Sequence, residues 1–215
     1  IRQSGLAGLN VTRKIFVPQD GYFARYLEIL TNPGTSPVTV DLRVTSNVRV
    51  FNSSPLIRAT SSGDAILDVS DPLNPDRWVV IGDSNDVDPF VSFNVPALAF
   101  AFDGAGAADR AASASYVVSP SFSPGQLAVT WSNITIPAGG TVAYMHFGAE
   151  QVSRAAAAAS ADRLSQLPPE ALAGLSADEI AEVRNFAVPA NGVSTLAALP
   201  ALNGSVSGRV VAGDG

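Results

Sequence analysis

An oxygen-rich segment contains the clearest candidate metal ligands of the chain. Residues 83–88 read Asp-Ser-Asn-Asp-Val-Asp, so every side chain but one carries oxygen. Calcium binds six to eight oxygen ligands, commonly from carboxylates and amides in loops. The segment lacks the glycine and distal glutamate of an EF-hand, and Asx-rich turns also form because these side chains hydrogen-bond their own backbone. The pattern therefore predicts either a metal-free turn or a calcium site made by Asp83, Asn85, Asp86 and Asp88, to which Asp64, Asp68, Asp71 and Asp76 could add oxygens.

Ser84 ends the run Val-Val-Ile-Gly-Asp-Ser, in which a predicted strand leads to a possible nucleophile. A strand ending in Gly-Asp-Ser resembles the nucleophile block of GDSL-type esterases, and the resemblance implies that Ser84 would attack the substrate. That family supplies the base from an Asp-x-x-His near its C-terminus, whereas the single histidine here, His146, follows Ala-Tyr-Met. A serine without a base in reach is a weak nucleophile. We therefore predict no catalytic residues and no enzyme.

His146 and the two tryptophans have simple structural interpretations. His146 shares strand parity with Val142 and Tyr144, which predicts a packed or hydrogen-bonded strand residue. One histidine and no cysteine cannot make a multi-histidine or thiolate zinc site. Trp78 and Trp131 could stack on a sugar, but both lie in strand patterns, which predicts burial in the core.

Composition restricts the partners and the location. The net charge is −6, and the single lysine and the dispersed arginines give no basic stripe, so nucleic-acid binding is not expected. The longest apolar runs, such as residues 96–102, are far shorter than the roughly 20 residues of a membrane helix. Only 15% of residues are charged, and Ser, Thr and Asn are frequent in predicted turns. Such surfaces are common on exported β-proteins, so we predict an extracellular or cell-surface location.

Alternating residues indicate that most of the first 150 residues form β-strands. The clearest strand alternates apolar and polar residues over 38–45. An Asn-Pro-Gly turn separates it from the aromatic segment 22–30, which predicts an antiparallel hairpin over about 22–46. A second hairpin is predicted from the alternation at 127–132, a Pro-Ala-Gly-Gly turn and the run 141–147. Further short strands are predicted at 10–17, 47–51, 65–69, 78–81, 97–102 and 115–118.

A helical pattern replaces the strands after residue 150. Residues 154–166 are rich in alanine and must stop before two prolines, which can open a short helical turn. Ser176 followed by Glu179 forms a capping-box pattern, with Leu175 and Ile180 as its hydrophobic staple. A proline at 189 ends this last helix. We predict a mainly β fold, an antiparallel β-sandwich that is immunoglobulin-like or jelly-roll-like, with a short C-terminal helical brace and a terminal strand.

The end of the chain returns to strand alternation. Residues 203–215 resemble the first strand of immunoglobulin-like and carboxypeptidase-regulatory-like repeats of exported bacterial proteins, which open with a Gly-x-Val-x-Gly-x-Val rhythm. Residues 134–141 are similar to a strand-turn-strand phrase of many bacterial surface β-domains. The resemblance implies a β-sandwich module of a larger bacterial extracellular protein. We predict a β-body over 1–150, a helical segment over 151–190, and over 191–215 a linker and terminal strand leading to a further domain or neighbouring subunit, with Val206, Arg209, Val210 and Val211 as assembly residues.

Three function classes remain open from the sequence. The leading hypothesis is a non-enzymatic structural or adhesive module whose partners are proteins, either further copies or neighbouring domains, and which assembles by adding a strand to a sheet edge. The alternative is a calcium-dependent module that binds carbohydrate or another surface polymer. The third is a hydrolase on a β-sandwich scaffold, because fold alone does not determine function. The 19 acidic residues permit many carboxylate pairs for glycoside hydrolysis without specifying one.

Overall fold

Ten strands and three short helices make up the described part of the chain. A computed structural model describes residues 1–19, 21–48, 55–83, 86, 96–118 and 125–199. The strands are β1 (Arg2–Leu6), β2 (Leu9–Phe16), β3 (Ala24–Thr31), β4 (Val38–Val48), β5 (Leu56–Thr60), β6 (Trp78–Gly82), β7 (Ala97–Ala101), β8 (Ser113–Val117), β9 (Gly125–Ile136) and β10 (Thr141–Gln151). The helices are α1 (Arg154–Ser165), α2 (Pro169–Leu172) and α3 (Ala177–Glu182).

The strands form two antiparallel sheets. Sheet A has seven strands in the order β1-β2-β3-β10-β7-β6-β5, and sheet B has three in the order β4-β9-β8. β10 is the last strand of the described residues but lies at the centre of sheet A, where it joins β1–β3 to β5–β7. The prediction of a mainly β, antiparallel sandwich with a small helical part is confirmed.

The inner faces of the two sheets share an apolar core. β4 alternates as its sequence predicts, since Val44 and Val48 are buried whereas Thr45 between them is exposed. They belong to the same buried cluster as Trp131 of β9 and Tyr144 of β10, which are 1% and 0% exposed. Burying one such side chain contributes about 1.5–3 kcal/mol. This contact holds sheet B on the inner face of sheet A.

The helices cover the opposite, outer face of sheet A. α1 buries Ala157, Ala161 and Leu164, and the two alanines let its backbone lie close to β6, β7 and β10. Phe147 of β10 and Leu27 of β3 belong to this second cluster. The central strands of sheet A are therefore buried on both faces, which explains why their sequences are apolar almost throughout.

Both predicted hairpins are wrong, because each turn is a corner between the sheets. β3 lies in sheet A and β4 in sheet B, and β9 and β10 are likewise divided. Asn32, which is 0% exposed, ties the two corners together. Its Nδ2 donates to the carbonyl oxygens of Ser36, Ile136 and Pro137 at 2.9–3.1 Å. The turn residues therefore redirect the chain from one layer to the other instead of pairing consecutive strands.

The predicted strand at 65–69 is also wrong. Asp64 accepts the N–H of Ile66 at 2.8 Å in an Asx turn, a local bond that competes with strand pairing. The buried carboxylate of Asp76 accepts the N–H groups of Ser62 and Asp68 at 2.9 and 2.8 Å. These aspartates therefore use their carboxylates to organise the loop between β5 and β6.

The predicted capping box of Ser176 is confirmed. The hydroxyl of Ser176 accepts the N–H of Glu179 at 3.2 Å, and the Glu179 carboxylate accepts the N–H of Ser176 at 3.0 Å. α3 ends at Glu182, earlier than predicted. The cause is tertiary, since the next residues leave the helix to lie beside β10 and the Arg184 N–H donates to the Ala143 carbonyl at 2.9 Å.

None of the helices in the described ranges is long and apolar enough to cross a membrane. The predicted terminal strand at 203–215, with Val206, Arg209, Val210 and Val211, lies outside the described residues.

Candidate functional site

Polar side chains form two adjacent rows on the inner face of sheet A. The strand register places Arg13 of β2, Glu28 of β3 and Tyr144 of β10 side by side. In the next row Tyr26 lies opposite His146. Residues two positions apart on a strand share a face and lie about 7 Å apart, so the two rows are in direct reach of one another. This arrangement depends on pairing between β3 and β10, which are far apart in sequence.

Glu28 is the centre of this group. Its Oε1 accepts a hydrogen bond from Nε of Arg13 at 2.7 Å and lies 3.1 Å from Nε2 of His146. The side chain of Glu28 is 4% exposed and that of His146 12%, whereas Arg13 reaches the surface with 38%. A buried carboxylate is costly unless it is paired and hydrogen-bonded, and these two partners meet that need.

The contact with Arg13 determines how His146 can react. A carboxylate paired with a guanidinium only accepts hydrogen bonds, so we assign the shared hydrogen to Nε2 of His146. Nδ1 is then the basic nitrogen of the neutral ring. A carboxylate in this position fixes one tautomer and stabilises the imidazolium that forms when Nδ1 takes up a proton. Glu28 and His146 together can serve as a general acid and base.

Tyr26 connects this pair to an open cleft. Its ring stacks on the His146 imidazole with the centroids 4.9 Å apart and an interplanar angle of 5°. Tyr26 also lines a cleft of about 430 Å³, a size that suits a small-molecule ligand. We call it the Tyr26 cleft; its other walls include Val17, Tyr22, Phe23, Leu98, Phe100 and Glu150.

Gly148 leaves the floor of the Tyr26 cleft open. The register places it between Ala24 of β3 and Phe100 of β7, two residues beyond His146 on the same face of β10. A Cβ built on Gly148 would come no closer than 3.9 Å to Phe100. The missing side chain is therefore not required for close packing, and it leaves space about 7 Å along the strand from His146.

The predicted calcium ligands lie partly within the described residues. Asp83 is buried and its main-chain oxygen accepts Nη2 of Arg154 at 2.8 Å. Oδ1 of Asp86 accepts the backbone N–H of Arg154, also at 2.8 Å, at the first residue of α1. A carboxylate is favoured there, since the first N–H groups of a helix lack intrahelical partners. Asn85 and Asp88 lie outside the described residues.

The described residues add no observation that supports a calcium site or a catalytic serine. Within the described residues, no three acidic or histidine side chains are grouped in a way that could hold a metal ion. Calcium binding by residues 83–88 stays a prediction. Ser84, the residue of the esterase resemblance, is outside the described part of the chain.

The sequence of β3 contains a signal that marks Glu28. Arg25 and Glu28 are the only charged residues of β3, and charged residues are almost never fully buried without a partner. Arg25, 3% exposed, donates to the carbonyl oxygens of Ala171 and Ala173 at 2.6 and 2.8 Å and so anchors the α2 region. The sequence could mark both residues as paired, but not which of them lay beside the histidine.

Comparisons with known proteins give a structural likeness but no family. No known protein family and no curated protein matches the chain. Among solved structures it is similar to one described as a putative aldose 1-epimerase from Klebsiella pneumoniae, with a TM-score of 0.48 and 10% sequence identity. The match covers 78% of this chain and 53% of that one, so the chain spans about half the length of the structure it resembles.

This comparison corrects two predictions from the sequence. The chain was expected to be a structural or adhesive module and not an enzyme, but the structure that it matches is described as an enzyme. The physical reason for the error is that the absence of a serine-histidine pattern excluded only one kind of catalytic group. Glu28 and His146 are 118 residues apart, and no motif in the sequence signals their contact.

Proposed function

We propose that the chain acts on a saccharide bound in the Tyr26 cleft, with Glu28 and His146 moving a proton to or from one of its oxygens. The observation that carries this proposal is the 3.1 Å contact between Glu28 and His146, together with the ring of Tyr26, which stacks on the imidazole and lines the cleft. Tyr26 therefore contacts the acid–base pair and also lines the cleft that would hold the ligand.

The walls of the cleft favour a sugar ring. Tyr22, Tyr26 and Phe100 present aromatic surfaces on which the C–H face of a pyranose can pack. Glu150, also in the lining, offers acceptor oxygens for hydroxyl groups. An apolar pocket with a few polar groups is the usual form of a small-molecule site.

The pair suits reactions that consist of proton transfers. Interconversion of the two anomers of a reducing sugar is such a reaction, since a proton leaves the hydroxyl on C1 and another is added to the ring oxygen as the ring opens. His146 can take up the first proton at Nδ1 while Glu28 stabilises the resulting imidazolium, and the imidazolium can then donate a proton to the ring oxygen as the C1–O5 bond breaks and the C1 carbonyl forms. Arg13 donates a hydrogen bond to Glu28 and so holds its side chain in place beside His146.

The test combines binding and turnover. Saturation-transfer NMR would detect binding of a panel of aldoses and their methyl glycosides, and polarimetry would follow anomer interconversion. Gly148→Leu fills the cleft floor and should abolish binding, whereas Gly148→Ala, whose Cβ meets nothing closer than 3.9 Å, should fold normally and weaken it only modestly. Unfolding midpoints of both variants serve as the control for folding.

The pair is tested separately from the cleft. Glu28→Gln keeps the shape and a hydrogen bond to Arg13, so it should change KM little. Because it removes the carboxylate that stabilises the imidazolium of His146, it should lower kcat about 100-fold or more. His146→Gln should behave in the same way. The proposal fails if no aldose binds at millimolar concentration, or if Glu28→Gln turns over as fast as the wild-type protein.

A further inference from the structure

A second cleft, separate from the Tyr26 cleft, is rich in charge. It has a volume of about 450 Å³, and its lining includes Arg110, Arg184, Asp109, Asn133 and Trp131. We call it the arginine cleft. Trp131 is 1% exposed, so the base of this cleft belongs to the rigid core between the sheets.

Backbone hydrogen bonds hold the two arginine-bearing segments together. The N–H of Asp109 donates to the Arg184 carbonyl at 3.0 Å, and the N–H of Gly104 donates to the Asn185 carbonyl at 2.9 Å. The Arg184 N–H in turn donates to Ala143 of β10. Arg110 and Arg184 therefore start from a fixed backbone frame, which lowers the entropy lost when a ligand orders their side chains.

Asp109, the acidic residue of the arginine cleft, already has a hydrogen-bond partner. Oδ2 of Asp109 accepts the hydroxyl of Tyr144 at 2.6 Å. In contrast, the guanidinium groups of Arg110 and Arg184 have no hydrogen-bond or ion-pair partner within the described residues. The cleft thus has a local charge of about +1 in a chain whose net charge is −6.

The positive charges of Arg110 and Arg184 affect the pKa values of two buried groups, Asp103 and Tyr144. Burial raises the pKa of Asp103 to about 7, and the positive charge of Arg110 opposes that rise. Burial and the Asp109 carboxylate raise the pKa of Tyr144, and Arg184 opposes this rise. Both arginines therefore act on the same small region, although their side chains are exposed.

A fixed β-bulge forms the remaining wall. In β9, Ser132 and Asn133 together lie opposite the single residue Asp41 of β4. Asn133 adopts the left-handed conformation with φ 59°, and its N–H donates to Asp41 at 2.8 Å. Asn tolerates this conformation better than most residues. Bulges of this kind are frequent beside binding sites, where they redirect side chains.

We propose that the arginine cleft binds a small hydroxylated oxyanion, the shared chemistry of a sugar phosphate and a sugar carboxylate. Planar guanidinium groups bind phosphate and carboxylate through paired, charge-assisted hydrogen bonds, which Arg110 and Arg184 have free to offer. Ser132, Asn133 and the remaining oxygen of Asp109 provide hydrogen-bond partners for hydroxyl groups. The arginine cleft and the Tyr26 cleft share no lining residue.

Isothermal titration calorimetry of the full chain tests this site. The probes are inorganic phosphate, glucose 6-phosphate, glucuronate and neutral glucose. At least one sugar anion should bind more tightly than inorganic phosphate, and its affinity should fall as NaCl is raised. Tighter binding of glucose 6-phosphate identifies a phosphate site, and tighter binding of glucuronate identifies a carboxylate site.

Arg110→Gln and Arg184→Gln should each weaken that binding at least about tenfold, since hydrogen bonds to charged groups carry large contributions. Arg43→Gln is the matched control, because Arg43 is an exposed arginine on the outer face of β4 and should leave affinity unchanged. Gly148→Leu should also bind the anion normally, which separates this site from the Tyr26 cleft. The inference is overturned if no probe anion binds at millimolar concentration, if inorganic phosphate binds as tightly as the sugar anions, or if the double arginine variant binds as the wild type does.

Discussion

Asn185 allows a direct test of the hydrogen bonds that hold β10 and the two arginine-bearing segments of the arginine cleft together. Its side chain is 0% exposed, and Nδ2 donates to the carbonyl oxygens of Phe102 and Met145, both at 2.6 Å. Oδ1 accepts the Met145 N–H at 2.8 Å. The Asn185 side chain therefore pairs with the backbone of β10 beyond the end of β7, on the edge of β10 that faces away from β3. Asn185→Leu preserves volume but leaves three backbone groups without their partners.

The expected loss follows from these three groups. A buried N–H or C=O without a partner costs about 1–3 kcal/mol, so Asn185→Leu should lower the free energy of unfolding by at least about 3 kcal/mol. Domains are stabilised by only about 5–15 kcal/mol in total. Urea unfolding followed by tryptophan fluorescence measures the loss. With a denaturant slope of about 2–3 kcal/mol per molar, the midpoint should fall by about 1 M or more.

Two comparison variants make this test specific. Asn47→Leu changes an exposed asparagine of β4 in the same way and should stay within about 0.5 kcal/mol of wild type. Asn185→Asp retains the acceptor for Met145 but turns a carboxylate toward two carbonyl oxygens, so its loss of stability relative to the wild-type protein should be smaller at pH 4, where the new carboxylate can be protonated, than at pH 7. A loss below about 1 kcal/mol for Asn185→Leu would refute the assignment of these bonds as essential.

Three further predictions concern buried charge and helix capping. Burial raises the pKa of Asp103 to about 7 from an ordinary 3.8, so the folded chain retains a proton that the unfolded chain releases. Stability should therefore fall by about 4 kcal/mol as the pH rises from about 4 to 7, and urea midpoints should show a flatter pH profile for Asp103→Asn. Arg25→Met should lower the unfolding free energy by about 2–4 kcal/mol, measured by thermal denaturation, because the Ala171 carbonyl loses a charged donor. Ser176→Ala should cost about 1 kcal/mol by the same measurement, since the Glu179 N–H loses its cap.

The strands could be predicted from the sequence better than their partners could. Alternation located β4 and β9, because burial of one face is a local pattern, and the run 141–147 after a turn located β10. The turns before β4 and β10 have the composition of hairpin turns, and the same residues also suit a corner between layers. Asn32 decides between the two through contacts with residues about 100 positions away. Such contacts leave no pattern in the segment itself.

The helix boundaries show where local information is sufficient. The capping box of Ser176 is complete within four residues, so the start of α3 was predictable. Its end was not, because the Arg184 N–H leaves the helix for a carbonyl of β10. The loop after β5 shows the same limit of local patterns. Its apolar residues predicted a strand, but Asp64 accepts the N–H of Ile66 in an Asx turn, and no strand forms there.

The acid–base pair was beyond prediction from one sequence. His146 was correctly expected to be a hydrogen-bonded strand residue, but its partner required knowledge of the register between β3 and β10. Arg110 and Arg184 likewise meet in one cleft through backbone bonds between a loop and the segment after α3. In both sites, many of the strands and helices can be predicted from the sequence. The contacts between their functional side chains cannot, because they depend on pairing between segments that are far apart in sequence.

The central position of β10 has a consequence for how the molecule forms. β3 and β7 both need it as a partner, and the contact of Thr31 with Thr141 closes 110 residues of chain. Closing such a span is slow, and until it occurs the two half-sheets expose unpaired edges that can recruit other chains. Chains that stop short of β10 are therefore expected to aggregate rather than to fold partly. The same pairing of β3 with β10 brings Glu28 to His146, so we expect the acid–base pair to form only when the two half-sheets join.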